Sequence, residues 1–248
     1  MIFAAFLAGL IFGSFFNVVI VRLPHDESLG GRSKCRHCGT QIAWYHNIPV
    51  WSYLRLRGRA ACCGKPFSVE YLLVELATGL AFAGLYLHFG LGPQFFWYTL
   101  LTCWLILISV IDLHHRIIPD ELSLSGIPLG LVACFFTQDI SWVSSLVGIF
   151  VGGGIFFSVA YLYERVTGVE GLGGGDVKLL AMLGAWFGAE SILIIIILST
   201  CLGSVVGLGL MAAGRAGSKA AIPFGPFLAI AAWAYLFMRE PMLAYIYP

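Results

Sequence analysis

The chain has 248 residues, 59% hydrophobic and only 11% charged, with a formal net charge of +1 and a mean hydropathy of +0.90. A soluble domain carries about 25% charged residues, so this composition excludes one and implies an integral membrane protein. A net charge so near zero gives no general attraction to nucleic acid, and the placement of the charges carries the information instead. The opening run 2–21 is apolar. It lacks the basic n-region and the small-residue cleavage site of a secretory signal peptide, and so reads as a retained first span.

Seven further apolar runs follow, at 71–89, 95–112, 122–137, 142–163, 177–189, 191–213 and 221–238, against the roughly 20 residues needed to cross a bilayer. The run 122–137 is interrupted by Ser123, Ser125 and Pro128. The stretch 177–213 is too long for one span and is broken near Gly188-Ala189-Glu190-Ser191. The expected fold is an all-α polytopic membrane protein of about eight transmembrane helices with a small cytosolic cysteine-containing loop domain. Its expected divisions are 1–21, 22–70 and 71–248.

Basic residues set the orientation, because Lys and Arg of short loops stay in the cytosol. Arg22, Arg32, Lys34, Arg36, Arg55, Arg57, Arg59 and Lys65 lie between the first and second spans. With that loop inside, Arg116, Arg165, Lys178, Arg215 and Lys219 also fall inside, and only Arg239 is left outside. This topology puts the N-terminus outside and brings Asp112 and Asp176 to the same cytosolic face.

The loop 22–70 contains Cys35-Arg36-His37-Cys38-Gly39 and then Cys62-Cys63-Gly64. A structural zinc site needs two thiolates on one tight turn and two on another, arranged tetrahedrally. The first turn has that spacing, but in the second Ala60 stands three residues before Cys63. Three readings stay open: Cys62 substitutes with an altered turn, His37 or His46 completes the set, or the site is degenerate. The cytosolic setting disfavours a stable disulfide. Cys103, Cys134 and Cys201 lie in apolar spans and read as packing residues.

The stretch Gly173-Gly174-Gly175-Asp176-Val177-Lys178 sets a carboxylate beside three residues without side chains, where two apolar segments meet. A carboxylate at membrane depth is costly unless paired, hydrated or in use. Asp112, at the end of the run 95–111, is the comparable second one. Each alone has a plain structural reading, Asp112 balanced by His115 or Arg116 and Asp176 as an N-cap. On one membrane face, the two together read as an aspartic dyad, in which repulsion and partial burial leave one shared proton. Such a dyad needs no catalytic metal. Lys178 either lies beside Asp176 or snorkels to the interface. Asp120 and Glu121 read as first-turn residues, His114 and His115 as headgroup residues, and Gly152-Gly153-Gly154 as a close helix contact. Asn17 and Glu75 are buried polar residues, suited equally to a substrate or methyl-donor pocket and to interhelical hydrogen bonding.

At this point the chain resembles the type IV prepilin peptidases. The likeness is carried by Gly13-Ser14-Phe15-Phe16-Asn17-Val18-Val19-Ile20 with Arg22-Leu23-Pro24, by Asn47-Ile48-Pro49-Val50, and by Arg57-Gly58-Arg59 with the loop cysteines. It continues through Asp112 with Ile117-Ile118-Pro119-Asp120, through Gly173 to Lys178 with Leu179, Gly184, Ala185 and Trp186, and through Ile222-Pro223-Phe224-Gly225-Pro226-Phe227. The resemblance implies that Asp112 and Asp176 are the catalytic pair of a membrane aspartic protease in the bacterial inner membrane. Such a protease removes the basic leader from prepilins and type II secretion pseudopilins on the cytosolic side. It implies further that the new N-terminus is methylated from S-adenosylmethionine, the cysteine loop being associated with that bifunctional form; Cys35, Cys38, Cys62 and Cys63 are the candidate zinc set that the spacing offers. The chain departs from the family pattern at Ala60, Glu70 and Leu72, which bears on the metal and methyl transfer more than on proteolysis. The rival readings are a proton-coupled transporter using paired carboxylates, which would show mid-membrane carboxylates or an inverted repeat, and a non-enzymatic assembly factor.

Overall fold

A computed structural model describes residues 1–168, 173–214 and 222–246. Arg215 and Lys219, two of the residues used to orient the chain, lie outside that set. Among the described residues the protein is helical throughout. The only β-pairing among the described residues is two isolated bridges, Lys34 with Gln41 and Arg59 with Pro66. The chain divides into two compact units, Met1–Leu107 and Ile108–Pro248.

In the first unit, α1 (Ile2–Arg22) pairs with α3 (Glu70–Phe89), and the short α2 (Trp51–Arg55) lies in the connection between them. Glycines allow the close approach of α1 and α3. A Cβ on Gly9 would sit 2.6 Å from the Thr78 carbonyl oxygen, and one on Gly13 would sit 2.7 Å from the Glu75 Cα. This Gly-x-x-x-Gly spacing on one helix face is the small-residue pattern that lets membrane helices touch. Asn17 adds a polar tie, its amide donating to the Tyr71 carbonyl at 3.1 Å. Helix α3 ends at Gly90, whose φ of 65° only a residue without a Cβ adopts freely. Pro93 then opens α4 (Pro93–His115), at the helix start where its missing N–H costs nothing.

The second unit takes in the end of α4, then α5 (Asp120–Thr137), α6 (Trp142–Ile149) and a π-helical segment, Phe150–Ile155. It continues through α7 (Phe156–Thr167), α8 (Gly174–Phe187), α9 (Ala189–Ala212) and α10 (Gly225–Ile246). Helix α8 is its centre: every residue from Leu179 to Phe187 is buried, as expected of a helix apolar on all sides. Four glycines on two neighbouring helices make room for it. A Cβ on Gly126 or Gly130 of α5 would strike Met182 or Trp186, and one on Gly148 or Gly152 would lie 2.1 or 2.3 Å from the carbonyl oxygens of Gly184 or Leu180. Two side-chain hydrogen bonds lock the packing: Ser145 Oγ donates to the Ala185 carbonyl at 2.6 Å, and Trp186 Nε1 to that of Gly126 at 2.9 Å. Gly188, at φ 82°, separates α8 from α9, inside the break expected from sequence.

Each of the eight expected runs overlaps helical structure, with 142–163 taking in α6, the π-helical segment and α7. Six helices among the described residues are long and apolar enough to cross a membrane: Ile2–His25, Glu70–Phe89, Pro93–His115, Asp120–Thr137, Trp142–Thr167 and Ala189–Ala212. Gly225–Arg239 is apolar but shorter. The 14 residues of α8 extend only about 21 Å, less than the roughly 30 Å of a hydrocarbon core. Large apolar side chains exposed on α1 and α9, among them Phe3, Ile11, Leu193 and Leu208, suit a lipid surround.

Candidate active site

Asp112 lies on the last full turn of α4 and is 5% exposed. Its Oδ2 accepts a hydrogen bond from the backbone N–H of Gly225, the first residue of α10, at 3.0 Å. Helix starts have unpaired N–H groups, and here one is spent on a carboxylate. A Cβ on Gly225 would stand 2.7 Å from that same oxygen, so the contact requires glycine. The sequence marked Gly225 only as part of the Ile222–Phe227 block; its role depends on a contact between residues far apart in the chain. After Asp112, α4 stops at Arg116, which takes a left-handed φ of 56°.

Asp176 occupies the first turn of α8, where the helix dipole favours an anion. The N-cap is Gly173, with extended backbone, so Asp176 is not itself the cap. The three glycines differ in use. Gly174 has open space where a side chain would go, whereas a Cβ on Gly175 would come within 3.0 Å of Ile118 Cβ. That close approach sets the start of α8, and with it Asp176, against the segment that follows Asp112.

Lys178 does not pair with Asp176. Its Nζ donates to Asp120 Oδ1 at 2.6 Å. The reason is helical geometry: two residues along a helix turn the side chain well away from Asp176, toward the opening turn of α5. The pair ties α8 to α5 across a partly exposed surface.

In the first unit the four cysteines of the loop converge. All four Sγ atoms lie within 4.8 Å of one another, with Cys35 to Cys63 at 3.8 Å and Cys38 to Cys62 at 3.3 Å. Four thiolates on a zinc ion with bonds of about 2.3 Å stand roughly 3.8 Å apart, so the set fits that metal. The second turn is not altered by its irregular spacing. Cys35 N–H bonds to the Thr40 carbonyl and Gly39 N–H to that of Cys35, while Ala60 N–H bonds to the Lys65 carbonyl and Gly64 N–H to that of Ala60, all at 2.8 Å. The two turns are therefore equivalent residue by residue, with Ala60 in the place of Cys35 and Cys62 in the place of His37. His37 faces the Pro66 carbonyl at 3.3 Å. Hydrogen bonding to Thr40 draws the Cys38 thiol down to about 6, whereas sharing a proton with Cys38 pushes Cys62 up to about 12.

Between this module, α1 and α3, the first unit encloses a cavity of about 630 Å³ whose lining includes Asn17, Asn47 and Glu75. Glu75 is 8% exposed, and its Oε2 accepts from the Val50 N–H at 2.7 Å.

The comparisons with known proteins agree with one another. Residues 7–89 match the bacterial peptidase A24 N-terminal domain, and residues 99–208, which contain both aspartates, match the type IV leader peptidase family. The chain is 39% identical over 260 residues to the prepilin leader peptidase/N-methyltransferase of Xanthomonas campestris, covering 95% of this chain and 90% of that one. It is 39% identical to the protein of that name from Stutzerimonas stutzeri, covering 98% and 92%, and 40% identical to that from Pseudomonas aeruginosa, covering 93% and 88%. No solved structure matches. Six apolar helices and two family models spanning most of the chain leave one conclusion: this is a multi-pass inner-membrane enzyme that belongs to the type IV leader peptidase family.

Proposed function

We infer that this protein is an aspartic endopeptidase that removes the basic leader from type IV prepilins and type II secretion pseudopilins at the cytosolic face, and then methylates the new N-terminal amine using S-adenosylmethionine. What supports the proteolytic half is that the two carboxylates, Asp112 and Asp176, belong to one unit, with Gly175, the residue before Asp176, packed against Ile118 of the segment that follows Asp112. One carboxylate takes a proton from water, and the resulting hydroxide attacks the scissile carbonyl while the other, protonated, carboxyl donates to its oxygen. When the tetrahedral species collapses, the departing amine takes a proton from the pair, and the peptide bond is replaced by a carboxyl and an amine. The Gly225 N–H holds Asp112 Oδ2 in position. The pair shares its proton as a unit.

The methylating half is supported by the names of the relatives and by the first unit, whose residues 7–89 match the N-terminal domain model. S-adenosylmethionine would supply an electrophilic methyl group. Cys35, Cys38, Cys62 and Cys63 would hold a structural zinc ion, cross-linking the two turns of a loop with little apolar core of its own.

The test is to incubate the purified full-length chain with a prepilin and to weigh the products by mass spectrometry. The expected result is a product shortened by its leader and heavier by one methyl group. Asp112→Asn and Asp176→Asn should each slow cleavage by at least about 10²-fold. Cleavage at the wild-type rate in either variant would overturn the mechanism.

A further inference from the structure

The cavity of the first unit has features that packing alone does not require. Glu75 is a buried carboxylate on a membrane helix, a placement that costs several kcal/mol unless the charge is paired, hydrated or in use; within the chain it is met by the Ser14 side chain and the Val50 N–H, with no basic residue among the described ones paired to it. Its partner is strained. Val50 sits at φ 61°, ψ −50°, and the Trp51 N–H closes back on the Pro49 carbonyl at 2.5 Å. That is a γ-turn of the rare positive-φ kind, adopted here by a β-branched residue, for which it is unfavourable. Strain of this sort persists where the surrounding structure imposes it, and it clusters at ligand sites. Here it aims a backbone N–H at Glu75 Oε2 and leaves the carboxylate on the wall of the cavity.

Size and charge narrow the occupant. About 630 Å³ lies within the range of small-molecule sites. Apart from Glu75, the charged lining is basic: Arg22, Lys34 and Arg36. A Lys- and Arg-rich leader would be repelled by three like charges. A compact zwitterion with a carboxylate at one end and a cationic centre at the other matches one acid set among bases.

We propose that this cavity is the binding site for the methyl donor, a sulfonium-bearing adenosyl amino acid, with Glu75 as the anionic group toward which its positive sulfur is drawn. The proposal rests on the methylating half of the function inferred above. Carboxylate and strained turn form a single device: the Val50 N–H fixes the oxygen on the cavity wall, where a carboxylate can meet a cation.

Titration calorimetry on the full-length chain in detergent, with S-adenosylmethionine and with its neutral thioether product S-adenosylhomocysteine, separates charge recognition from packing. Glu75→Gln keeps the shape and can still accept from Val50. The expected result is a weakening of the sulfonium ligand by about tenfold or more, as for loss of one charge-assisted contact, with the thioether shifted by less than about twofold. Glu75→Asp keeps the charge and should retain part of the preference. Equal losses for both ligands, no change for either, or binding of a synthetic basic leader peptide in competition with the donor would overturn the assignment. Donor binding is read without any prepilin. A wild-type product lacking the added methyl group would therefore sink the transfer reaction, and the calorimetry would still decide the site.

Discussion

A single backbone N–H shows how finely the aspartate pair is held. Gly225 donates to Asp112 Oδ2 at 3.0 Å, and a methyl group in place of its hydrogen would stand 2.7 Å from that oxygen. Gly225→Ala should push the carboxylate aside and lower the rate of leader cleavage by up to about 10²-fold, the cost of roughly an ångström of misplacement. KM should move little, and the chain should keep its thermal midpoint; steady-state kinetics on a prepilin, with a thermal melt alongside, checks both. The Lys178–Asp120 pair is a weaker constraint. Its side chains are 39% and 55% exposed, and an ion pair so wetted contributes about 0–1 kcal/mol.

At the scale of elements, the glycines of the π-helical segment act unequally although they are consecutive. Gly152 and Gly153 press on Leu180 and Ala181 of α8, whereas Gly154 has nothing within 4 Å of where its Cβ would be. Gly152→Ala should cost about 1–3 kcal/mol from overpacking, and Gly184→Ala, whose Cβ would fall 2.0 Å from the Gly148 carbonyl oxygen, should cost at least as much. Gly154→Ala should be neutral, or stabilising by up to about 1 kcal/mol from helix propensity. Thermal unfolding midpoints of the three variants in one detergent give the order. The expected packing role of the triple glycine thus belongs to two of its members, because the helix turns the third away. The same pattern recurs in α1, where Gly9 and Gly13 meet α3.

At the scale of the whole molecule, the chemistry divides between two compact units. The aspartates lie in the second and the cysteine module in the first. The equivalence of the two turns makes a sharp prediction about metal content. Cys62→Ser should reduce bound zinc from near-stoichiometric to well below it. Adding Ala60→Cys to that variant should restore it, since Ala60 occupies the place that Cys35 fills in the first turn. Metal analysis of the dialysed full-length protein reads both outcomes.

The sequence by itself determined the all-helical membrane class, the positions of eight helices and the residues worth watching. Apolar run length, helix-breaking glycine and the rarity of membrane carboxylates are local properties, and each can be read from a short window. Tertiary structure alone decided that Gly225 serves Asp112, that Lys178 turns to Asp120, that Cys62 stands with the other three sulfurs, and that Glu75 faces a cavity. Each of these joins residues distant in the chain, and such partners are fixed by how helices pack and how turns close, which no local pattern specifies.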